Sequence, residues 1–218
     1  FFRSFGFLIL RMAKIISFIS RKGGTGKTTN AINLSTTLNQ IGKHVLLIET
    51  DANYTLNTLR KMELFKAKES KNGFEILGSQ DSTVADELSK IKENRKEDII
   101  IVDSAGKTTD EGMKKLCLVS DMVIVPTSLT QNDLLVTYQT VTDLAPARDL
   151  NPKLKILVLP NRIHSATNIF TVRQHLKNLD AIILPVMVPQ KNLFVNFSTL
   201  DAEKEYLPVA QSILNNLV

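Results

Sequence analysis

A chain of 218 residues that is 43% hydrophobic and 22% charged can build one substantial core, is short for two, and is not a disordered segment. Its single cysteine, Cys117, excludes an internal disulfide and a cysteine-only metal site, and fits a reducing compartment. A net charge of +5 permits contact with nucleic acid without demanding it.

Residues 1–11 are apolar but too short to span a bilayer; they read as an upstream extension, with one domain expected over residues 12–218. From there, short apolar runs alternate with helical patterns. The runs are Ile15-Ile16-Ser17-Phe18-Ile19, Val45-Leu46-Leu47-Ile48, Ile99-Ile100-Ile101-Val102, Met122-Val123-Ile124-Val125, Ile156-Leu157-Val158-Leu159 and Ile182-Ile183-Leu184. Strands that are apolar throughout, rather than alternating, are buried on both faces. The expected fold class is therefore α/β: a doubly wound, mostly parallel sheet flanked by helices. Residues 29–40 predict a helix ended by Gly42, and residues 130–144 another that stops before Pro146. Basic stretches at 60–72 (Arg60, Lys61, Lys66, Lys68, Lys71) and 90–96 (Lys90, Lys92, Arg95, Lys96) read as exposed helix faces or connections. The tail from Leu207 is apolar on one side and has no Lys or Arg, which predicts a helix packed on the domain.

Chemistry concentrates where apolar runs end, as expected of ligands bound beyond the carboxyl ends of parallel strands. After the first run stands Lys22-Gly23-Gly24-Thr25-Gly26-Lys27-Thr28-Thr29, followed by the helical pattern Ala31, Leu34, Leu38. Such a glycine-rich turn lets backbone N–H groups converge on anionic oxygens at a positive helix terminus. The plain phosphate-loop pattern wants a glycine where this chain has Arg21, so it is not matched. By the ordinary loop's logic, Lys27 holds the β- and γ-phosphates and Thr28 places its hydroxyl on Mg²⁺. The bland alternative is a glycine turn with two solvated lysines.

After the second run comes Glu49-Thr50-Asp51-Ala52-Asn53, where Asp51 is the candidate to position the attacking water. After the third comes Asp103-Ser104-Ala105-Gly106-Lys107; a carboxylate there can hold a water or hydroxyl on Mg²⁺, and Gly106 allows close approach to a phosphate. Plain capping of strand and helix ends is the alternative for these carboxylates. Asn161-Arg162 follows the fifth run, as a base-bordering pair or simply a turn.

The Lys-Gly-Gly-x-x-Lys-Thr loop resembles the deviant Walker A box of the ParA/MinD ATPases. The resemblance runs from about Met12 to the end, with strong motifs at 22–29 and 99–107; the Asp-Ser-Ala-Gly-Lys stretch looks like that of short plasmid-type ParA proteins. It implies Gly23, Gly24, Thr25, Gly26, Lys27, Thr28 and Thr29 as nucleotide-binding residues, with Thr29 at the α-phosphate and Lys22 reaching the partner's nucleotide. It implies catalytic roles for Lys22, Lys27 and Asp51, Mg²⁺ at Thr28 and Asp103, and Asn161 and Arg162 beside the base. The chain departs from the family's D-x-D-P-Q segment at Glu49 and at Ala52-Asn53, and His164 stands where a guanine site would want a carboxylate, which favours ATP.

What the resemblance further implies is a slow, partner-stimulated ATP hydrolase, a homodimer with ATP sandwiched, non-specific DNA binding in the ATP state, and a ParB-like adaptor. Its place would be cytoplasmic and nucleoid-associated, its role to partition or position DNA. Arg148, Lys153, Lys155, Arg173, Lys177, Lys191 and Lys204 are the dispersed phosphate-contact candidates. The rivals are a MinD-like membrane-associated ATPase, positioning of a non-DNA cargo, and a metabolic ligase or kinase on the same fold; one cysteine cannot supply the cluster of a nitrogenase-type iron protein.

Overall fold

The computed structural model describes residues 12–67, 73–94, 97–106 and 109–217. The extension at 1–11, with Lys68, Lys71, Arg95, Lys96 and Lys107, lies outside the described residues. The elements run β1 (Lys14–Phe18), α1 (Lys27–Gln40), β2 (Val45–Glu49), α2 (Thr55–Lys66), β3 (Glu75–Gly78), α3 (Val84–Asn94), β4 (Ile99–Asp103), α4 (Asp110–Val119), β5 (Met122–Thr127), α5 (Gln131–Leu150), β6 (Lys155–Ile163), α6 (Ile169–Leu176), β7 (Ile182–Ile183), β8 (Val188–Pro189), α7 (Asn192–Val195), a 3-10 turn at Lys204–Tyr206 and α8 (Leu207–Leu217). All six apolar runs are strands. Two more, β3 and β8, were not anticipated: β3 alternates as a half-covered edge, and β8 is two residues long.

The strand order is β3-β2-β4-β1-β5-β6-β7, with β8 beside β6, and every described pairing is parallel. β2 and β4 are buried at every residue, as fully apolar runs require. Successive side chains take opposite faces, and two cores result. On one face Ile16, Phe18, Leu47, Ile101 and Ile124 meet α1, α7 and α8 through Leu34, Leu38, Phe194 and Ile213. On the other Ile15, Leu46, Ile100, Val123 and Val158 meet α3 to α6 through Leu88, Met113, Leu116, Leu144 and Leu176. Each such side chain contributes about 1.5–3 kcal/mol by leaving water.

One boundary is corrected. The predicted stop before Pro146 fails, because α5 continues through it to Leu150. Proline forfeits one backbone hydrogen bond, but Leu144 and Ala147 are buried on either side of it. The end is instead secured by Asn151, whose N–H reaches Ala147 O at 2.8 Å and whose amide donates to Cys117 O and Ser120 O at 3.0 and 2.9 Å. α8 carries Val209, Ala210 and Ile213 into the core beside α1, as its one-sided pattern predicts. Among the described residues no helix is long and apolar enough to cross a membrane.

Candidate functional site

The chain leaves β1 for β2 on one side of the sheet, returns at β4, and crosses to β5 on the other, so the crevice lies at the carboxyl ends of β1 and β4. Five helices compared at their starts show what is special there. α4, α5 and α6 are capped by Thr109, Thr130 and Asn168, which accept from Gly112 N, Asp133 N and Thr171 N at 3.1, 3.3 and 2.9 Å. The start of α2 is served by Glu49, whose two carboxylate oxygens accept from Leu56 N at 3.0 and 3.2 Å. α1 begins at Gly26 with no side-chain cap and no acidic residue in its first turn. Its opening N–H groups are left for an anion.

Gly26 is required twice. Its φ is +98°, and a Cβ there would stand 2.2 Å from Asn161 Nδ2. Asn161 is buried and donates to Thr25 O at 2.9 Å, so its amide braces the loop from behind. Gly26 O accepts from Asn30 Nδ2 at 2.8 Å, and Asn30 Oδ1 accepts from the buried Tyr206 hydroxyl at 2.9 Å. The phosphate loop is thereby tied to the C-terminal region.

Lys27 is buried, and its Nζ donates to Lys22 O at 3.3 Å. Burial lowers its pKa, opposed by the negative charges of Asp103, Asp81 and Asp51. Asp103, at the end of β4, is buried as well, and burial pushes its carboxyl up to about 7 against the opposing pull of Thr28 and Lys27. Thr28 stands beside this carboxylate, and Oδ1 is buried without a hydrogen-bond partner. An orphaned carboxylate oxygen beside a hydroxyl is the hard-oxygen donor set that suits Mg²⁺ when phosphates and waters complete the shell. The residues fit that ion.

Asp51 is exposed and closes a turn, its Oδ1 accepting from Asn53 N and Nδ2 at 3.0 and 2.9 Å. Glu49 has a different role, since its carboxylate is engaged by the start of α2, and burial raises its pKa against the N–H groups that hold it. The capping alternative thus describes Glu49 at the start of α2, and Asp51 also serves the turn it closes. Gly106 abuts the loop, since a Cβ there would come within 3.2 Å of Gly23 Cα.

Lys22 sits at the same mouth but is paired within its own chain, Nζ to Asp133 Oδ1 at 2.7 Å. Burial would raise the Asp133 pKa, but Lys22, Ser128 and Thr130 outweigh it and hold the carboxyl below its usual range. Arg21, where the plain pattern wants glycine, turns outward to Asp143 and to Asp110 at 2.6 Å, so the loop tolerates its bulk. Arg162 is exposed, adopts φ +56°, and lines a cleft of about 230 Å³ with Thr29, Gln190, Asn192 and Phe194.

The fold therefore brings Lys27, Thr28, Asp51 and Asp103 into one neighbourhood, with Lys22 alongside and Asn161 behind the loop. Sequence reasoning missed Thr50, Asp81 and Tyr206. Thr50 had a signal, lying between two flagged carboxylates; Asp81 had none, because β3, the strand before it, was unread. Of the dispersed cations, Arg148 and Lys191 are engaged by Asp180 and Glu205, and Lys155 donates to Asn216 O at 2.7 Å. Lys153, Arg173, Lys177 and Lys204 are exposed.

The model of the VirC1 protein family matches residues 13–213, nearly the whole described chain. The chain belongs to the VirC1 family. It is one of the ParA/MinD-type P-loop proteins. Among relatives, the septum site-determining protein MinD of Bacillus subtilis is 29% identical over 100 residues, 46% of this chain and 35% of that protein. Protein virC1 of Rhizobium rhizogenes is 26% identical over 140 residues, 63% of this chain and 60% of that protein. The chain thus spans less than two thirds of these relatives' lengths. A plasmid partition protein of Borrelia burgdorferi, solved with AMPPNP bound, shares the fold with a TM-score of 0.68 at 23% identity, covering 94% of this chain and 98% of that one. The parallel sheet flanked by helices that was read from sequence is the fold of that structure.

Proposed function

We propose that this VirC1-family chain is a slow, partner-stimulated ATP hydrolase that sandwiches ATP between two copies, binds DNA without sequence preference in that state, and partitions or positions plasmid or chromosomal DNA. One observation carries the reading: the uncapped start of α1 opens beside buried Lys27 and the unpartnered Oδ1 of Asp103.

In this reading the N–H groups of residues 23–29 cradle the phosphates, Lys27 neutralises the β- and γ-oxygens, and Thr29 serves the α-phosphate. Thr28 and Asp103 would hold Mg²⁺, which would supply positive charge against the phosphates. Asp51, carried on an exposed turn, orients the attacking water, while Arg162 borders the base and Asn161 braces the loop from behind. Lys22 changes partners. Its pair with Asp133 is partly exposed, and such pairs are worth about 0–1 kcal/mol, so a triphosphate on a second copy can take the ammonium away. A ParB-like adaptor would then time hydrolysis and release from the nucleoid in the cytoplasm.

The test is ATP turnover with and without duplex DNA, together with DNA binding in ATP, ADP or neither across a salt series. Tight, salt-sensitive binding in ATP alone is expected. Lys22→Ala should abolish ATP-dependent self-association while ATP affinity in calorimetry stays within about threefold, as fits a group acting in trans. Equal DNA affinity in every nucleotide state overturns the switch, and ATP-dependent binding to liposomes in its place substitutes a MinD-like membrane role.

A further inference from the structure

The carboxylate that the motif offers first, Glu49, is occupied in starting α2. A different carboxylate faces the phosphate loop. Asp81 lies in the connection between β3 and α3, outside every motif, and its negative charge joins those of Asp103 and Asp51 in favouring the protonated Lys27. What holds Asp81 there is Thr50, the middle residue of Glu49-Thr50-Asp51. The Thr50 hydroxyl is buried and accepts from Ala105 N at 2.9 Å. It has one proton to give; Asp81 Oδ1 lies at 3.0 Å and Asp103 O at 3.3 Å, and the charged oxygen is the stronger acceptor. Thr50 N–H meanwhile donates to Asp103 O at 3.1 Å. One residue therefore fastens three segments: the end of β2, the turn after β4, and the approach to α3.

The turn so fastened carries Gly106, which touches Gly23 in the phosphate loop. Valine at position 50 would keep the shape but leave Ala105 N–H and the Asp81 carboxylate without this partner. We propose that Thr50 and Asp81 form a positioning pair for hydrolysis, clamping the Ala105–Gly106 turn against the phosphate loop and presenting an additional carboxylate towards Lys27. Neither side chain needs to touch the nucleotide. Their action is on the geometry of the turn that meets the terminal phosphate, so they govern turnover rather than binding.

This inference rests on the ATPase reading, and the experiment separates the two. Wild type, Thr50→Val, Thr50→Ser, Asp81→Ala and the Thr50→Val/Asp81→Ala double variant are compared for kcat, KM, ADP affinity by calorimetry, and melting temperature. Thr50→Val and Asp81→Ala should each lower kcat about tenfold with ADP affinity within about threefold, and the double variant should fall no further than the worse single, as coupled residues do. Thr50→Ser, which keeps the hydroxyl, should recover most of the loss. Wild-type turnover in both single variants, additive losses in the double, or loss in Thr50→Ser equal to that in Thr50→Val overturns the pair. A wild-type protein that binds neither ADP nor ATP overturns the ATPase reading itself.

Discussion

Asp103 and Asp121 stand on the two strands that flank β1, one at the carboxyl end of β4 and the other just before β5, and they meet opposite fates. Asp121 accepts from Ile15 N at 2.9 Å, from Lys14 at 3.0 Å and from Lys92 at 3.3 Å. Burial would raise its pKa, but those donors hold it below the usual carboxylate range. Asp103 is more deeply enclosed, its Oδ1 has no partner, and its carboxyl is pushed up to about 7. The same side chain in the same sheet is complete at one end and incomplete at the other. A carboxylate that the fold has satisfied serves the fold, whereas one the fold leaves short at a phosphate loop is kept for a ligand.

The sharpest way to break that contrast is to remove each acid in turn. Asp103→Ala should cost at least about tenfold in Mg²⁺-dependent ATP affinity, measured by calorimetry with and without the metal, and should not destabilise the apo protein, because an unpartnered buried acceptor disappears. Asp121→Ala should do the reverse, losing about 1–3 kcal/mol in denaturant unfolding with ATP affinity unchanged within about twofold. Equal losses of affinity in both would erase the distinction.

A smaller effect is expected at the loop itself. Gly26→Ala puts a Cβ into Asn161 at a positive φ, and should cost about 1–3 kcal/mol of stability together with part of the phosphate affinity. The smallest is a pH effect. Since the Asp121 pKa is depressed by folding, its contribution is present above the unfolded pKa near 3.8 and is lost as pH falls through the lower folded value. Unfolding midpoints of Asp121→Asn should therefore fall less steeply than wild type on the acid limb, and identical limbs would show that the three donors do not perturb it.

Much of this was legible in the chain. Ile15, Leu46, Ile100 and Val123 announce a sheet covered on both faces because nothing else buries uninterrupted apolar strands, and the spacing of Lys22, Gly26 and Lys27 announces an anion loop. The extent of α5 was not, because proline's local penalty is outweighed by packing that only the assembled core provides. Nor was Glu49, where a motif position promised site chemistry and the N-terminus of α2 claimed the carboxylate.

By itself, then, the order of residues determined six of the eight described strands, the parallel class and the glycine-rich loop, all of which follow from local periodicity and from backbone freedom at glycine. Which carboxylates are engaged and which stand open was decided only in three dimensions. Asp81 comes to Lys27, Lys22 to Asp133 and Asn161 to Gly26 through parallel crossovers that join residues far apart in the chain. Hydrogen bonding and desolvation depend on those neighbours, and no window of sequence contains them.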